Sequence, residues 1–528
     1  MTVKGIFWSG ALAFYLWLLF GCSVSDETCD GHSCPGADAG VMDGGVDAGG
    51  DESLFDGNDQ GLSNESRDDA GDDDQGERVL RNFTVLGQGG FFGISGIPVN
   101  NVIPGGVFAI GAHYADISDE GSDALLAGRV YFFKAGGWPG SLDDAELILQ
   151  PPDRAEGGGF GYTIGNPCDL NSDGFMDFPV GNHLYSPPDS QDFNSGRGVV
   201  FWGSENGLEL HRASYFHLDE NLRQRSDVLG QTVLCLDVDG DGNDDLLLGG
   251  QNAGSDNTGI VAVFLGGKDG PAETQDFLLA PVSTESKQYF GASSLLWDLN
   301  GDGLDDLVIG GWGLVKAQTP GGPHTGGVLV YCGGEDWTQG PTYGLYPSTD
   351  EVSQSGVDLA IVGNGPTYLA VGASKLGTLG PDDPQAPGGV LLYRLGNDDI
   401  RQGVVAQKLL APDGFWATGF GQSIAWVPDY FGTGNGAMLV GMKYADASAD
   451  NSGTGAVAVY SQDADGEFIE PPQILLAPDP SGNDAFGGCI VALGDVDGDG
   501  LSDFFVGMES HIENGTPDVQ TGGVVFYY

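Results

Sequence analysis

From about residue 80 to the end of the chain, short runs rich in β-branched and aromatic residues follow one another, each bounded by Gly, Pro or Asp. That alternation is the pattern of half-buried strands. No helical period of apolar residues appears after the first two dozen positions. The runs also repeat in a fixed order. A Phe-Gly-like pair opens each unit: Phe92-Gly93, Phe160-Gly161, Leu229-Gly230, Phe290-Gly291, Phe420-Gly421 and Phe486-Gly487, with a worn copy at Ser355-Gly356. Next come a strand ending in Val/Ile-Gly, a long polar loop, and a Gly-led strand such as GIVAVFLGG or GGVVFYY. Six units add a fourth run, of which ELILQPP, DFLLAP and QILLAP are examples.

Seven such units at a spacing of roughly 65 residues, four strands each, predict an all-β, seven-bladed β-propeller of four-stranded blades. The seventh unit reaches Tyr528 on its third strand. The unassigned stretch Val79-Leu80-Arg81-Asn82-Phe83-Thr84-Val85-Leu86 supplies a fourth. Sheet proteins avoid exposed edges, so residues about 80–87 are expected to pair beside Val524 to Tyr528 and close blade 7. The alternative is a separate short strand capping blade 1. The domain boundaries that follow are 1–21 for a signal segment, 22–79 for a linker and 80–528 for the propeller.

Four units carry an acidic phrase between their first and second strands: DLNSDGFMD, DVDGDGNDD, DLNGDGLDD and DVDGDGLSD. Oxygen side chains stand at positions 1, 3, 5 and 9, with Gly at 6. The sets are Asp169, Asn171, Asp173 and Asp177; Asp237, Asp239, Asp241 and Asp245; Asp298, Asn300, Asp302 and Asp306; and Asp495, Asp497, Asp499 and Asp503. A tight loop with that spacing suits one hard cation, and calcium takes six to eight oxygens at about 2.3–2.6 Å. The loop is not an EF-hand, because position 12 is Val180, Leu248, Ile309 or Val506 instead of Glu. It runs straight into an apolar strand, as a strand-to-strand connection does. The other three blades, with VNNVIPGG, VGNGPTY and PDYFGTGNG in this place, are assigned no metal.

The repeat count, Phe-Gly pairs and acidic loops together resemble the FG-GAP repeats of the integrin alpha-subunit propeller and its bacterial relatives, over roughly residues 80–528. The resemblance implies that the four loops bind four structural calcium ions. No second-subunit pairing of the integrin kind is implied.

The loops between second and third strands lie on the opposite face. They are long and varied, and loops on a rigid scaffold are where binding concentrates. Tyr114, His183, Tyr185, Trp312 and Tyr444 are the candidate ligand-face residues, with Lys316, His324, Lys375 and His511 beside them. Histidines in such polar loops are expected to be exposed.

Charge narrows the partners. The chain has 19 Lys plus Arg against 76 Asp plus Glu, a formal net charge of −57. A surface of that sign repels nucleic acid and anionic lipid. An apolar run from Gly5 to Phe20 reads as a secretory signal, and Leu19-Phe20-Gly21-Cys22 resembles a bacterial lipoprotein processing site with Cys22 lipidated. An uncleaved anchor or ordinary secretion are the alternatives; all three place the propeller outside the cytoplasm, and lipidation ties it to the envelope membrane. The following Asp/Gly-rich stretch lacks the apolar groups needed to fold and reads as a disordered stalk. Cys29 and Cys34 in it are close enough to pair. Cys168, Cys235, Cys332 and Cys489 fall in four different blades and are expected to be buried, free and inert.

The functional expectation is a calcium-stabilised, non-enzymatic surface module binding a protein or glycan, as adhesion propellers do. The alternative is an envelope-anchored hydrolase or lyase acting on polysaccharide or a lipid anchor. A third possibility is a purely architectural envelope protein.

Overall fold

The computed structural model describes residues 81–528 except 88–89, 100–101, 103–105, 120–121, 135–137, 189–190, 284, 317–323, 348–352, 378–385, 397–399, 416–418, 447–452, 479–482 and 512–520. The signal segment, stalk, Cys22, Cys29 and Cys34 lie outside the described residues.

Seven four-stranded antiparallel sheets follow one another along the chain. In blade 2, for example, the innermost strand Phe160–Ile164 pairs with Phe178–Asn182, then Gly198–Phe201, then the outer Ala213–Phe216. Blade 7 has the same order, Phe486–Gly494, Asp503–Met508 and Gly523–Tyr527, but its outer strand is Asn82–Leu86 from the other end of the chain. The register runs Asn82 to Tyr527 through Leu86 to Gly523, and Arg81 and Tyr528 exchange backbone hydrogen bonds of 3.2 and 3.1 Å beyond it. Phe83 stacks on Phe526 with ring centroids 5.0 Å apart, so apolar packing backs the pairing. Among the described residues no helix is long and apolar enough to cross a membrane.

The Phe-Gly pair is what joins blades. The first residue of each pair is fully buried, and it makes one isolated parallel bridge to a glycine at the head of the preceding blade's third strand. Six of those bridges run from Gly128–Phe160 to Gly455–Phe486, and the seventh, Phe92–Gly522, joins blade 1 to blade 7. The glycine of the pair has φ between 86° and 91° in all seven blades. That is a conformation side chains rarely adopt. A Cβ at Gly291 would also lie 2.7 Å from the Ile260 carbonyl oxygen. Seven apolar clusters follow, one per junction. The cluster of Ala109, Val130, Phe160, Val180 and Phe201 between blades 1 and 2 is representative. Ser355 keeps the bridge without the ring, so the worn unit is a full blade.

Two and three residues past each pair's Phe-like residue, the innermost strand turns side chains toward the axis, half-buried for Tyr162 and Thr163 in blade 2 and for Val357 and Asp358 in blade 5. Hydroxyls there tie neighbouring blades together. Ser95 donates to the Gly161 carbonyl at 2.8 Å, Thr232 to Gly291 at 3.3 Å and Ser293 to Gly356 at 3.0 Å. Ser293→Ala is expected to cost about 1 kcal/mol, read from the denaturation midpoint.

One expectation about the cysteines is corrected. Cys168 and Cys235 form a disulfide between blades 2 and 3, their Cα atoms 6.1 Å apart. Placing the two in different blades does not separate them, because Cys168 enters the acidic loop of one blade beside the innermost strand of the next. Cys332 and Cys489 are free, the former buried and the latter half-buried.

Candidate functional site

In each acidic phrase the backbone wraps around its own side chains. Gly at position 6 takes φ 89° in all four loops, which turns its N–H onto the first Asp. Gly174, Gly242, Gly303 and Gly500 donate to Oδ2 of Asp169, Asp237, Asp298 and Asp495 at 2.9, 2.9, 2.9 and 3.0 Å. The residue at position 5 donates its N–H to the side-chain oxygen at position 3, whether that is Asn171 or Asn300 (3.0 and 2.9 Å) or Asp239 or Asp497 (3.1 Å each). Asn therefore replaces Asp there without moving an oxygen. Oδ1 of Asp173, Asp241, Asp302 and Asp499 accepts from position 7.

The last Asp of each phrase is buried at the start of the second strand. Its Oδ2 accepts from position 2 at 2.7–2.9 Å in every loop. Oδ1 of Asp177, Asp245 and Asp306 accepts from Gly203, Gly266 and Gly333, just past the third strand. Oδ1 of Asp503 is buried with no hydrogen-bond partner among the described residues. A buried, unpartnered carboxylate oxygen is costly unless something positive meets it. Carboxylate oxygens of Asp237, Asp239 and Asp245 lie within 4.8 Å of one another, as do those of Asp495, Asp497 and Asp503. Burial pushes the Asp177 carboxyl up to about 7, and those of Asp245 and Asp503 to about 6, with the neighbouring loop carboxylates adding to the rise. Asp306 is raised for the same reasons. Crowded carboxylates in this state are a donor set for a hard divalent cation, and the residues present fit calcium.

The loops of blades 2 and 3 touch. The Asp169 N–H donates to Asp244 Oδ2 at 2.9 Å, Ser172 hydrogen-bonds Asn243, and Gly267 N–H donates to the Leu170 carbonyl at 3.0 Å. Cys168 bridges antiparallel to Asp177, the closing residue of its loop, and Asn166 makes two 2.9 Å hydrogen bonds to the backbone of Cys235. The disulfide thus ties the entries of both loops.

On the opposite face, the residue just past each second strand carries a polar or aromatic side chain, and three pairs of these ring neighbours meet. His113 and His183 stand 6.1 Å apart, centroid to centroid. Trp312 Nε1 donates to Gln251 Oε1 at 3.0 Å, and Lys443 Nζ lies 3.3 Å from Glu509 Oε1. Ser374 occupies the same position in blade 5, where its hydroxyl donates to Gln354 at 3.4 Å. Tyr162, from an innermost strand, packs on His183 at 4.1 Å and His113 at 5.4 Å. Tyr162 also feels the charges of Lys443 and Glu509 from the far side of the ring. Burial disfavours the Lys443 ammonium, but Glu509, Tyr444 and Tyr162 outweigh it and hold its pKa above the ordinary lysine range.

No family model matches the chain. Curated relatives do. It is 33% identical over 175 residues to phosphatidylinositol-glycan-specific phospholipase D of Bos taurus, covering 31% of this chain and 19% of that protein. It is 29% identical over 161 residues to integrin alpha-5 of Xenopus laevis (29% of this chain, 15% of that protein) and 29% identical over 172 residues to integrin alpha-PS2 of Drosophila melanogaster (31% and 12%). The chain is a seven-bladed propeller with homologues among integrin alpha subunits. It spans less than a fifth of the length of the relatives it matches.

The propeller brings some of the expected ligand-face residues together and scatters others. Tyr114 and His183 meet through His113, whose ring is 4.1 Å from Tyr114. Trp312 stacks on Tyr289 at 3.5 Å, and Tyr444 lies 5.1 Å from the Lys443 ammonium. Tyr185 is further out, under the Arg197 guanidinium at 3.6 Å. Lys316 and His324 are exposed and Lys375 is half-buried. The expectation of exposed histidines is corrected: His113, His183 and His511 are buried. His511 Nδ1 is 2.9 Å from Asp484, so it belongs to the wall. The residues missed from sequence, His113, Gln251, Lys443 and Glu509 among them, share only their place two residues after the Val/Ile-Gly glycine. Superposing the seven units on that glycine finds them.

Burial lowers His183 to about 3 and His113 well below the usual range, the latter also through His183. Both stay neutral in the fold while the unfolded chain takes up protons below about pH 6.5. The sign is therefore a loss of stability as pH falls from 6.5, on the order of 2 kcal/mol per histidine at pH 5. With calcium present, His183→Phe is expected to flatten that acid limb in melting curves; an unchanged limb would show that the histidines are not responsible.

Proposed function

We propose that the protein is a calcium-stabilised propeller held outside the cytoplasm, which binds a protein or glycan partner through the face bearing the loops between second and third strands. Each acidic loop holds one structural ion, four in all, with ligands from Asp169, Asn171, Asp173 and Asp177 and their counterparts in blades 3, 4 and 7. The ion supplies the positive charge that makes a packed set of carboxylates favourable. The observation that carries this reading is the four-times-repeated cage of backbone-held oxygens, with one buried oxygen, Asp503 Oδ1, unsatisfied among the described residues. The disulfide and the extracellular or membrane-anchored homologues support an oxidising compartment. Lipidation of Cys22 rests on the sequence and would tether the stalk to the envelope.

Equilibrium dialysis against 10 mM calcium, with bound metal counted above the free concentration, tests the calcium. Four ions per chain are expected, and none would overturn the reading. For the partner, an array of glycans and envelope proteins is probed with and without calcium. Binding that disappears when the Trp312 and Tyr444 loops are shortened supports the module. Detergent-phase partitioning that Cys22→Ala abolishes supports the anchor. The similarity to a phospholipase D keeps a hydrolase or lyase as the second reading. Turnover of polysaccharide or a glycosylphosphatidylinositol anchor, lost on one loop substitution, would favour it.

A further inference from the structure

The mouth of the axial channel, on the face opposite the acidic loops, has a composition unlike the rest of the chain. Seven structurally equivalent positions ring it, one per blade, each directly after a second strand. The set holds one acid and one base, and these are paired with each other at 3.3 Å, their side chains only 14% (Lys443) and 12% (Glu509) exposed. A chain of formal net charge −57 thus presents an electrically balanced patch at its centre. Around that pair stand neutral amide, hydroxyl and imidazole groups and flat aromatic faces. The parallel pair of Trp312 and Tyr289, 12° between planes, is half-buried, and Trp312 is fixed by its bond to Gln251.

A second observation points to a ligand. His113 is fully buried, yet neither ring nitrogen has a hydrogen-bond partner among the described residues. Buried polar atoms are nearly always satisfied. Here the His113 imidazole has both nitrogens unmet among the described residues, at the floor of the same mouth, with His183 beside it and the Tyr162 ring packed on both.

We propose that this axial mouth binds a neutral sugar ring, deepening the ligand-binding reading on which it rests. The chemistry selects that class. A pyranose has an apolar C–H face for the tryptophan or tyrosine rings and a belt of hydroxyls that donate and accept. Gln251, Ser374, Glu509 and Lys443 offer both kinds of partner around the rim. A hydroxyl reaching the floor satisfies the His113 nitrogens that have no partner among the described residues. A free carboxylate or ammonium instead has to break the buried Lys443–Glu509 pair, and an anion also meets the acidic field of the whole chain. Sites of this sort, mostly aromatic with a few placed polar groups, are how proteins hold small ligands.

The test is saturation-transfer NMR on the full calcium-loaded chain with the methyl glycosides of glucose, galactose, mannose and N-acetylglucosamine, and with methyl glucuronoside. Transfer to at least one neutral glycoside is expected, with affinity reduced about tenfold, roughly the 1.4 kcal/mol of one lost polar or stacking contact, by Trp312→Ala and by Lys443→Met. Ile469→Ala, on the opposite face, is expected to leave it unchanged. Melting curves establish that each variant is folded, and two variants on different blades keep the test alive if one is not. The inference falls if no neutral glycoside receives transfer, if both mouth variants bind as the parent does, or if the glucuronoside binds more tightly than its neutral counterpart. Such a failure with calcium-dependent melting and partner capture intact removes the sugar site alone. Loss of those two removes the reading beneath it.

Discussion

Chelation of calcium is expected to lower the melting temperature of this propeller by roughly 10 °C. The size comes from linkage. Extracellular calcium loops bind on the order of 10⁻⁴–10⁻³ M; at 10 mM calcium and the tighter end, one site adds about 2.7 kcal/mol. Four independent sites then add about 11 kcal/mol, and in a chain this long about 1 kcal/mol moves the midpoint by roughly 1 °C. Electrostatics gives the same sign. Asp237, Asp239 and Asp245 bring oxygens within 4.8 Å, and a pair of like charges at that distance costs about 3 kcal/mol at an effective dielectric of 20. Without an ion, protonation is the remaining relief, which is why burial raises Asp177, Asp245 and Asp503. The double variant Asp239→Ala/Asp302→Ala is expected to bind two ions instead of four and to halve the response to chelator. Superimposable melting curves with and without chelator would mean that the loops are ordinary turns.

The blades were legible because one physical requirement recurs at every junction. A chain that must pass within hydrogen-bonding distance of its neighbour at φ near 90° needs glycine, and the residue before it fills the inter-blade core. Phe-Gly is therefore visible even where Ser355 has replaced the ring. The closing strand was legible from edge avoidance, since Val524 to Tyr528 lacked an outer neighbour. What stayed hidden depends on distance between blades. Nothing in the spacing of Cys168 and Cys235 says that the entry to one acidic loop abuts the next blade's innermost strand. The channel mouth was hidden for a different reason. His113, His183, Gln251, Trp312, Ser374, Lys443 and Glu509 share a place and no residue type, so neither composition nor motif groups them. His511 misled because a loop histidine looks free until Asp484, at the entry to the same blade's innermost strand, is brought beneath it.

Breaking the Cys168–Cys235 bond has the second largest expected effect. The bond closes a segment with a sequence separation of 67, and restricting an unfolded chain over such a length stabilises the fold by about 4 kcal/mol in the chain-entropy model. The location makes the consequence local as well as global. Cys168 precedes Asp169, and Cys235 stands two residues before Asp237, so the crosslink holds the first ligand-bearing positions of two loops that already share Asp244 and the Ser172–Asn243 contact. Cys168→Ser/Cys235→Ser is expected to lower the unfolding free energy by about 4 kcal/mol and to weaken calcium binding in blades 2 and 3, leaving blades 4 and 7 as they were. Calcium titrations of the variant then resolve two unchanged sites and two weaker ones, where the parent shows four alike. Equal denaturation midpoints would assign the bond no role in stability. If all four sites weakened together, the loops would be coupled through the whole ring and not through the one junction where the cysteines meet.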